Sequence, residues 1–434
     1  MHVLHEHEAR SDHAPSSRAT GDALAWLYPG LGLKRWLLLG FVGVIVLVYA
    51  VLFAIGAQWS PQLLRGLGMG WLQERRWAAL LLAADCFVVG LVMVMVGARR
   101  AWVFHKTTPD TASQIRATAR LARGPRVVAI GGGHGLAALL RGLKTRTSNL
   151  TAVVTMADDG GSSGLLRRDM GMPPPGDLRN CLVALADDES LMSQLFQYRF
   201  PDSAGLHGHS FGNLFMAALA EVTGDFELAV QESTRVLKVR GRVLPSTLDD
   251  VVLHAQFESG DQISGESTIT AAGRAPRRVW VTPTSPAALP QAVTAIAKAD
   301  LIVLGPGSLY TSDIPNLLIP EVRAAIETAR ADVVYVCNVM TEPGETDGYS
   351  VADHLEALAR HGVRGVVDIV LVNDAPIPFD AVASYERKGS QPVVFDEARA
   401  KRLGARVETA PLVTLEGPIR HDSDRLAQAL LRLV

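Results

Sequence analysis

The sequence predicts a doubly wound, mostly parallel α/β sheet of the Rossmann-like kind, with an insertion, behind two transmembrane helices. Three observations predict it. Residues 37–57 form an uncharged apolar run, and Trp77 to Ala98 form a second, interrupted only by Asp85. Farther along, short apolar strands repeatedly run into glycine, hydroxyl or amide residues, as ligand loops follow strand ends in open α/β sheets. Charge is also divided: residues 1–124 carry 13 Lys/Arg against 7 Asp/Glu, and residues 125–434 carry 29 against 37. A basic front and a mildly acidic body, with a net charge of −2, exclude bulk attraction to nucleic acid. Three cysteines without a CxxC pair exclude a disulfide framework and a cysteine zinc site.

Residues 1–33 mix His, Ser, Asp, Pro and Gly without periodicity and read as a disordered tail, with His2, His5, His7 and His13 solvated. Residues 34–106 read as a two-helix anchor. At 1.5 Å per residue, 21 residues cross roughly 30 Å of hydrocarbon, and Trp36 and Trp59 sit where interfacial anchors belong. Asp85 is expected to pack against the first helix. Lys34, Arg35, Arg99, Arg100 and Lys106 flank the outer ends of the pair, against Arg65, Arg75 and Arg76 between the spans. That bias puts both termini and the large body in the cytoplasm, on a two-pass anchor in the cytoplasmic membrane. Residues 107–124 read as a linker with one short helix around Ala112–Arg123.

The body occupies residues 125–434. Arg126–Ile130 is a buried strand running into Gly131-Gly132-Gly133-His134-Gly135 and an apolar helix. Leu136 stands where a dinucleotide fingerprint needs its last glycine, and no GKS or GKT follows, so NAD-fingerprint and P-loop readings fail. A glycine turn at a helix start still offers N–H groups to an anion. Thr151–Met156 is the second strand, leading to Asp158, Asp159, Gly160, Gly161, Ser162, Ser163 and Gly164. Such a loop lets backbone approach a ligand, while its acids can take sugar hydroxyls or a divalent cation such as Mg²⁺. The same string matches the G-x-S-x-G nucleophile elbow, but Ser162 stands too far past its strand for a serine hydrolase.

Asp177, Arg179 and Asn180 open the next helix after a proline run, where Asp177 serves as a cap and the other two can face a ligand. His209 and Asn213 lie in a polar glycine turn ahead of another apolar helix, as ligand contacts or turn-formers and not zinc ligands. Leu301–Leu304 leads to Gly305, Gly307, Ser308 and Tyr310; Val333–Val336 to Asn338, Thr341, Gly344, Glu345 and Thr346; and Val367–Val372 to Asn373. Loops recurring after parallel strands converge on one sheet edge, so one extended phosphate- or nucleotide-binding cleft is expected there. Residues 222–290 read as a helical and β insertion.

The stretches GGGHGL (131–136), ADDGGSSG (157–164), GDLRN (176–180), GHSFGN (208–213), LGPGSLYTSDIPNLL (304–318) and NVMTEPGETDGYS (338–350) resemble the bacterial gluconeogenesis factor family. That family, YvcK-like, is a branch of the 2-phospho-L-lactate transferase (CofD-like) superfamily, and the last two stretches favour it over the transferases. The resemblance covers roughly residues 125–375. It implies a UDP-sugar such as UDP-N-acetylglucosamine as ligand, and a role in cell shape and envelope metabolism during gluconeogenic growth. It implies that Gly131–Gly133 and Gly305–Ser308 cradle diphosphate, that Asp158, Asp159 and Asn213 hold sugar, ribose or a metal, and that Arg179 counters phosphate charge. A non-catalytic membrane-anchored binder, alone or as a homo-oligomer, is the leading expectation. The alternative is a Mg²⁺-dependent transferase moving a phospholactyl group from a nucleotide diphosphate donor to a hydroxyl, with Asp158 and Asp159 as catalytic or metal-binding residues.

Overall fold

The computed structural model describes residues 33–58, 76–107, 118–186, 191–201, 205–206, 208–363, 365–414 and 419–434. The chain forms two compact units, Met1–Thr118 and Ala119–Val434. The expected tail, Trp59, Arg65, Arg75, most of the linker and His207 lie outside the described residues.

In the first unit, α1 (Leu33–Gln58) and α2 (Arg76–Thr107) pair through small residues. Gly43 and Ala50 on α1, and Ala83, Gly90 and Gly97 on α2, are buried and recur every seven residues. Backbones touch there: a Cβ on Gly43 would lie 2.9 Å from the Gly90 carbonyl oxygen, and one on Gly97 2.9 Å from that of Trp36. Close approach through glycine and alanine is how membrane helices pack. The remaining faces expose large apolar side chains, with Phe41 64% and Val88 59% exposed. The Arg100 guanidinium lies over the Trp36 ring, 5.3 Å from its centroid. Leu80–Arg100 is long and apolar enough to cross a membrane, whereas the apolar stretch of α1, Trp36–Leu52, is shorter than the expected span. Asp85 departs from expectation. It is exposed, two residues on from Ala83, which at 100° per residue turns it away from the α1 contact.

In the second unit the strands of the main sheet are β1 (Val127–Gly131), β2 (Leu150–Val154), β3 (Arg242–Pro245), β7 (Leu301–Leu304), β8 (Asp332–Val336), β9 (Ile369–Asn373) and β10 (Arg406–Ala410). An antiparallel insert of β4 (Val252–Gln256), β5 (Gln262–Ser264) and β6 (Arg278–Thr282) lies between β3 and β7, and a hairpin of β11 (Val413–Thr414) and β12 (Arg420–His421) follows. The helices that matter for the site are α3 (Gly133–Leu143), α4 (Gly161–Met170), α5 (Gly176–Leu185), α6 (Phe211–Thr223) and α7 (Glu266–Ala271).

The main sheet is wholly parallel, in the order β10-β9-β8-β7-β1-β2-β3. Its winding direction reverses between β1 and β7, the crevice where ligands bind in doubly wound sheets. Continuous apolar runs fit strands covered on both faces. Alternate residues of β1 serve two cores: Val128 and Ile130 join one, Val127 and Ala129 the other. The first core continues into the insert through Leu253, Val279 and Val281; the second is filled from α3 and α5 by Leu136, Leu140, Leu178 and Leu182.

Several boundaries and elements differ from the sequence reading. β2 ends at Val154: Thr155 donates its N–H to Gly131 in the last bond to β1, and the chain then leaves the sheet. Residues 222–290 are only partly an insertion: β3 within them is the edge strand of the main sheet, pairing Thr151 with Arg242. β10 forms the opposite edge, beside β9.

Candidate functional site

At the end of β1 the chain turns through Gly131, Gly132 and Gly133 into α3. Gly133 has a φ of +65°, open to glycine at little cost. At Gly132 the requirement is space, since a Cβ would lie 2.6 Å from Asp177 Oδ2 and 2.7 Å from the Thr155 methyl. A Cβ on Gly135 would run into the Pro306 carbonyl, so the β1 and β7 loops meet backbone to backbone. Asn338 Nδ2 donates to the Gly307 carbonyl at 2.9 Å and ties the loop after β8 to the same place. These loops floor a cavity of about 670 Å³.

Nine residues expected at the site line this cavity: Gly132, Gly133, His134, Asp158, Asp177, Gly307, Ser308, Asn338 and Thr341. The remainder build its frame. Glu345 is buried and accepts the N–H groups of Tyr310 (2.7 Å) and Thr311 (3.1 Å), locking the loop after β8 onto the turn after β7. Tyr310 is buried behind the site with its hydroxyl on that of Tyr349, 2.8 Å away. Thr346 Oγ1 accepts the Glu342 N–H, and Gly344 makes room for the insert, since a Cβ there would lie 2.6 Å from Gly273 Cα. Gly131 and Gly305 leave space for the Asp313 carboxyl, each 3.0 Å from a Cβ built at those glycines. The Asp313 carboxyl has no hydrogen-bond partner among the described residues, and burial, followed by nearby Glu342, pushes it well above the usual range.

The two acids after β2 part company. Asp158 accepts the Gly160 N–H at 2.9 Å and lines the cavity. Asp159 turns to the insert, where Oδ1 accepts the Ser267 N–H in the first turn of α7. Of the two candidate metal-binding acids, only Asp158 thus faces the cavity, and among the described residues no group of three His, Cys, Asp or Glu is set to hold a metal. Ser163 accepts the Gly176 N–H and Asp177 that of Gly133, so the starts of α3, α4 and α5 are bound together. Ser162 is buried at the start of α4, which follows Gly160 and begins at Gly161. Its Oγ accepts from Asn213 Nδ2 at 3.0 Å and pairs with His209 Nδ1 at 3.1 Å, joining α4 to α6. Arg179 is buried against Gly212 and donates to Asn180 Oδ1 at 2.8 Å, outside the cavity lining.

Several lining residues escape the sequence reading. Glu266, at the start of α7, faces Asp158 and Asp177, so burial and then those charges raise its carboxyl to about 7. The Asp177 carboxyl is raised to about 6, by burial first and Asp158 second. Tyr385, Lys388, Arg420 and His421 also line the cavity. Arg420 acts on His134, whose ring is held below its usual value by burial and then by Arg179, Arg141, Arg199 and Arg420. The cleft thus combines glycine turns with two cations, Lys388 and Arg420, and four carboxyls, Asp158, Asp177, Glu266 and Glu342.

Comparison with known proteins gives a consistent result. The family model described as 2-phospho-L-lactate transferase CofD matches residues 127–413. A gluconeogenesis factor of Bacillus subtilis is 49% identical over 311 residues, covering 71% of this chain and 98% of its own. A Nostoc relative is 44% identical over 426 residues, 94% of this chain and 91% of its own, so that similarity takes in the first unit. A crystal structure of a UPF0052 family member from Bacillus halodurans superposes with a TM-score of 0.69 at 47% identity, covering 71% of this chain and 99% of that one.

Proposed function

Since the chain belongs to the gluconeogenesis factor family of the CofD superfamily, we propose that its cleft binds a nucleotide diphosphate-sugar of the UDP-N-acetylglucosamine kind. The protein then acts as a membrane-anchored sensor of that ligand, serving cell shape and envelope metabolism during gluconeogenic growth. The observation that carries the reading is the meeting of two glycine turns at the switch point, in a cleft also lined by Lys388 and Arg420. A diphosphate needs backbone N–H donors and fixed cations together. A sugar needs hydrogen-bonding groups, which Asp158, Asp177 and Asn338 supply.

Anchoring by both helices is supported by the glycine and alanine seam between α1 and α2 and by the apolar exterior left around it. In this reading the pair spans the cytoplasmic membrane twice, with both termini inside.

A transferase is the second reading, favoured by Asp177 and Glu266, whose carboxyls titrate near neutrality as a general acid or base must. Titration calorimetry of the full-length protein tests the proposal: UDP-N-acetylglucosamine should bind well above UMP or NAD and be recovered intact. Mg²⁺-dependent conversion of a nucleotide diphosphate donor would establish the transferase instead.

A further inference from the structure

His421 lines the cleft from β12, is 8% exposed and bonds to the backbone of Cys337, the residue after β8. That bond favours the protonated ring, so the ring is its donor and the Cys337 carbonyl its acceptor. Nε2 has no partner among the described residues. The donor is then Nδ1–H, and Nε2 keeps its lone pair. Burial pushes the ring down to about 4, so Nε2 remains an acceptor at cellular pH. A buried acceptor without a donor is costly, and a site that leaves one in its wall is built for a ligand that supplies the donor.

The surroundings say what kind of donor. Val339, Met340 and Ile419 form a buried apolar cluster beside His421, and all three line the cleft. Apolar walls with one directed acceptor suit a flat heteroaromatic ring that presents an N–H at its edge. Arg420, next along the strand, lines the same cleft and acts on His134 at the glycine turn. Consecutive residues of β12 thus address the phosphates and the part of the ligand beyond them.

We propose that His421 reads the nucleobase, its Nε2 accepting the ring imide N–H of a base such as uracil. The proposal rests on the nucleotide reading of the cleft. Uracil donates from N3, whereas cytosine carries a lone pair at that position and would set acceptor against acceptor.

The test titrates the full-length protein and two variants with UDP, CDP and inorganic diphosphate. Wild type should prefer UDP to CDP by tenfold or more. His421→Asn keeps an amide donor for Cys337 but lacks an acceptor at Nε2; it should bring UDP down to the CDP level and leave diphosphate unchanged. His421→Gln, whose Oε1 reaches the Nε2 position, should restore part of the preference. Equal wild-type affinity for UDP and CDP overturns the proposal, as does an equal loss of both in His421→Asn, since their shared ribose would then be the partner. Diphosphate binding without UDP binding also overturns it while sparing the phosphate cradle. Failure of all three ligands overturns the nucleotide reading and the His421 assignment together.

Discussion

Asp159 Oδ1 accepts the Ser267 N–H at 2.8 Å, so a carboxylate on the loop after β2 caps the helix that carries Glu266 into the cleft. The glycine loop and the antiparallel insert are coupled through this bond, and a Cβ on the adjoining Gly265 would lie only 2.5 Å from Asp159 Oδ2. Asp159→Ala should cost α7 about 0.5–2 kcal/mol, as loss of a helix cap does. Amide hydrogen exchange at residues 266–271 should then accelerate several-fold while β1 and β7 keep their protection. Unchanged exchange in α7 would mean that the bond holds nothing in place.

Glu266 makes stability depend on pH in an unusual direction. Its folded carboxyl, raised to about 7 by burial and by Asp158, Asp159 and Asp177, stays protonated where the unfolded one, near 4.5, has ionised. The native state binds the extra proton between those values, so stability falls as pH rises through that window. Glu266→Gln should therefore be more stable than wild type at pH 8, by about 1–3 kcal/mol, and no more stable at pH 4. Equal melting at both pH values would show that Glu266 ionises as freely as in water.

Gly135→Ala sets two effects against each other. Alanine favours a helix over glycine by about 1 kcal/mol, but its Cβ would enter the Pro306 carbonyl, backbone that cannot swing aside. Overpacking should win, for a net loss of about 1–3 kcal/mol in urea denaturation, with weaker ligand binding as the two loops separate. A stabilised variant would show that the loops can part without cost.

The α1–α2 seam yields a membrane prediction. Gly90→Leu places a large side chain where even a Cβ lies 2.9 Å from the Gly43 carbonyl oxygen, and it should split the helix pair. With two spans, a reporter after Val434 should be cytoplasmic and one at Gly66 external, and carbonate should not extract the protein. A cytoplasmic reporter at Gly66 would reduce the anchor to one crossing, by α2.

What the sequence made legible follows from where each element sits. β1, β2, β7, β8 and β9 are covered on both faces and read as apolar runs such as VVAIG and LIVL. β3 (RVLP) and β10 (RVETA) are sheet edges, where polar residues interrupt the pattern, and both escaped notice. The glycine turns were legible because close backbone approach demands glycine. That Asp158 faces the cleft while Asp159 caps α7 was not, because adjacent side chains in a loop have no periodicity to separate them. Lys388, Arg420 and His421 were also hidden: they come from a C-terminal wall without a glycine or hydroxyl run, and only the tertiary fold brings it over the β8 loop.

A crystal structure of the protein with UDP-N-acetylglucosamine would show whether the β1 and β7 turns cradle the diphosphate of a nucleotide sugar. Diphosphate density is expected between Gly132–His134 and Gly307–Ser308, within reach of Lys388 and Arg420. Density for the ligand elsewhere on the molecule, with this cradle holding only water, would contradict it.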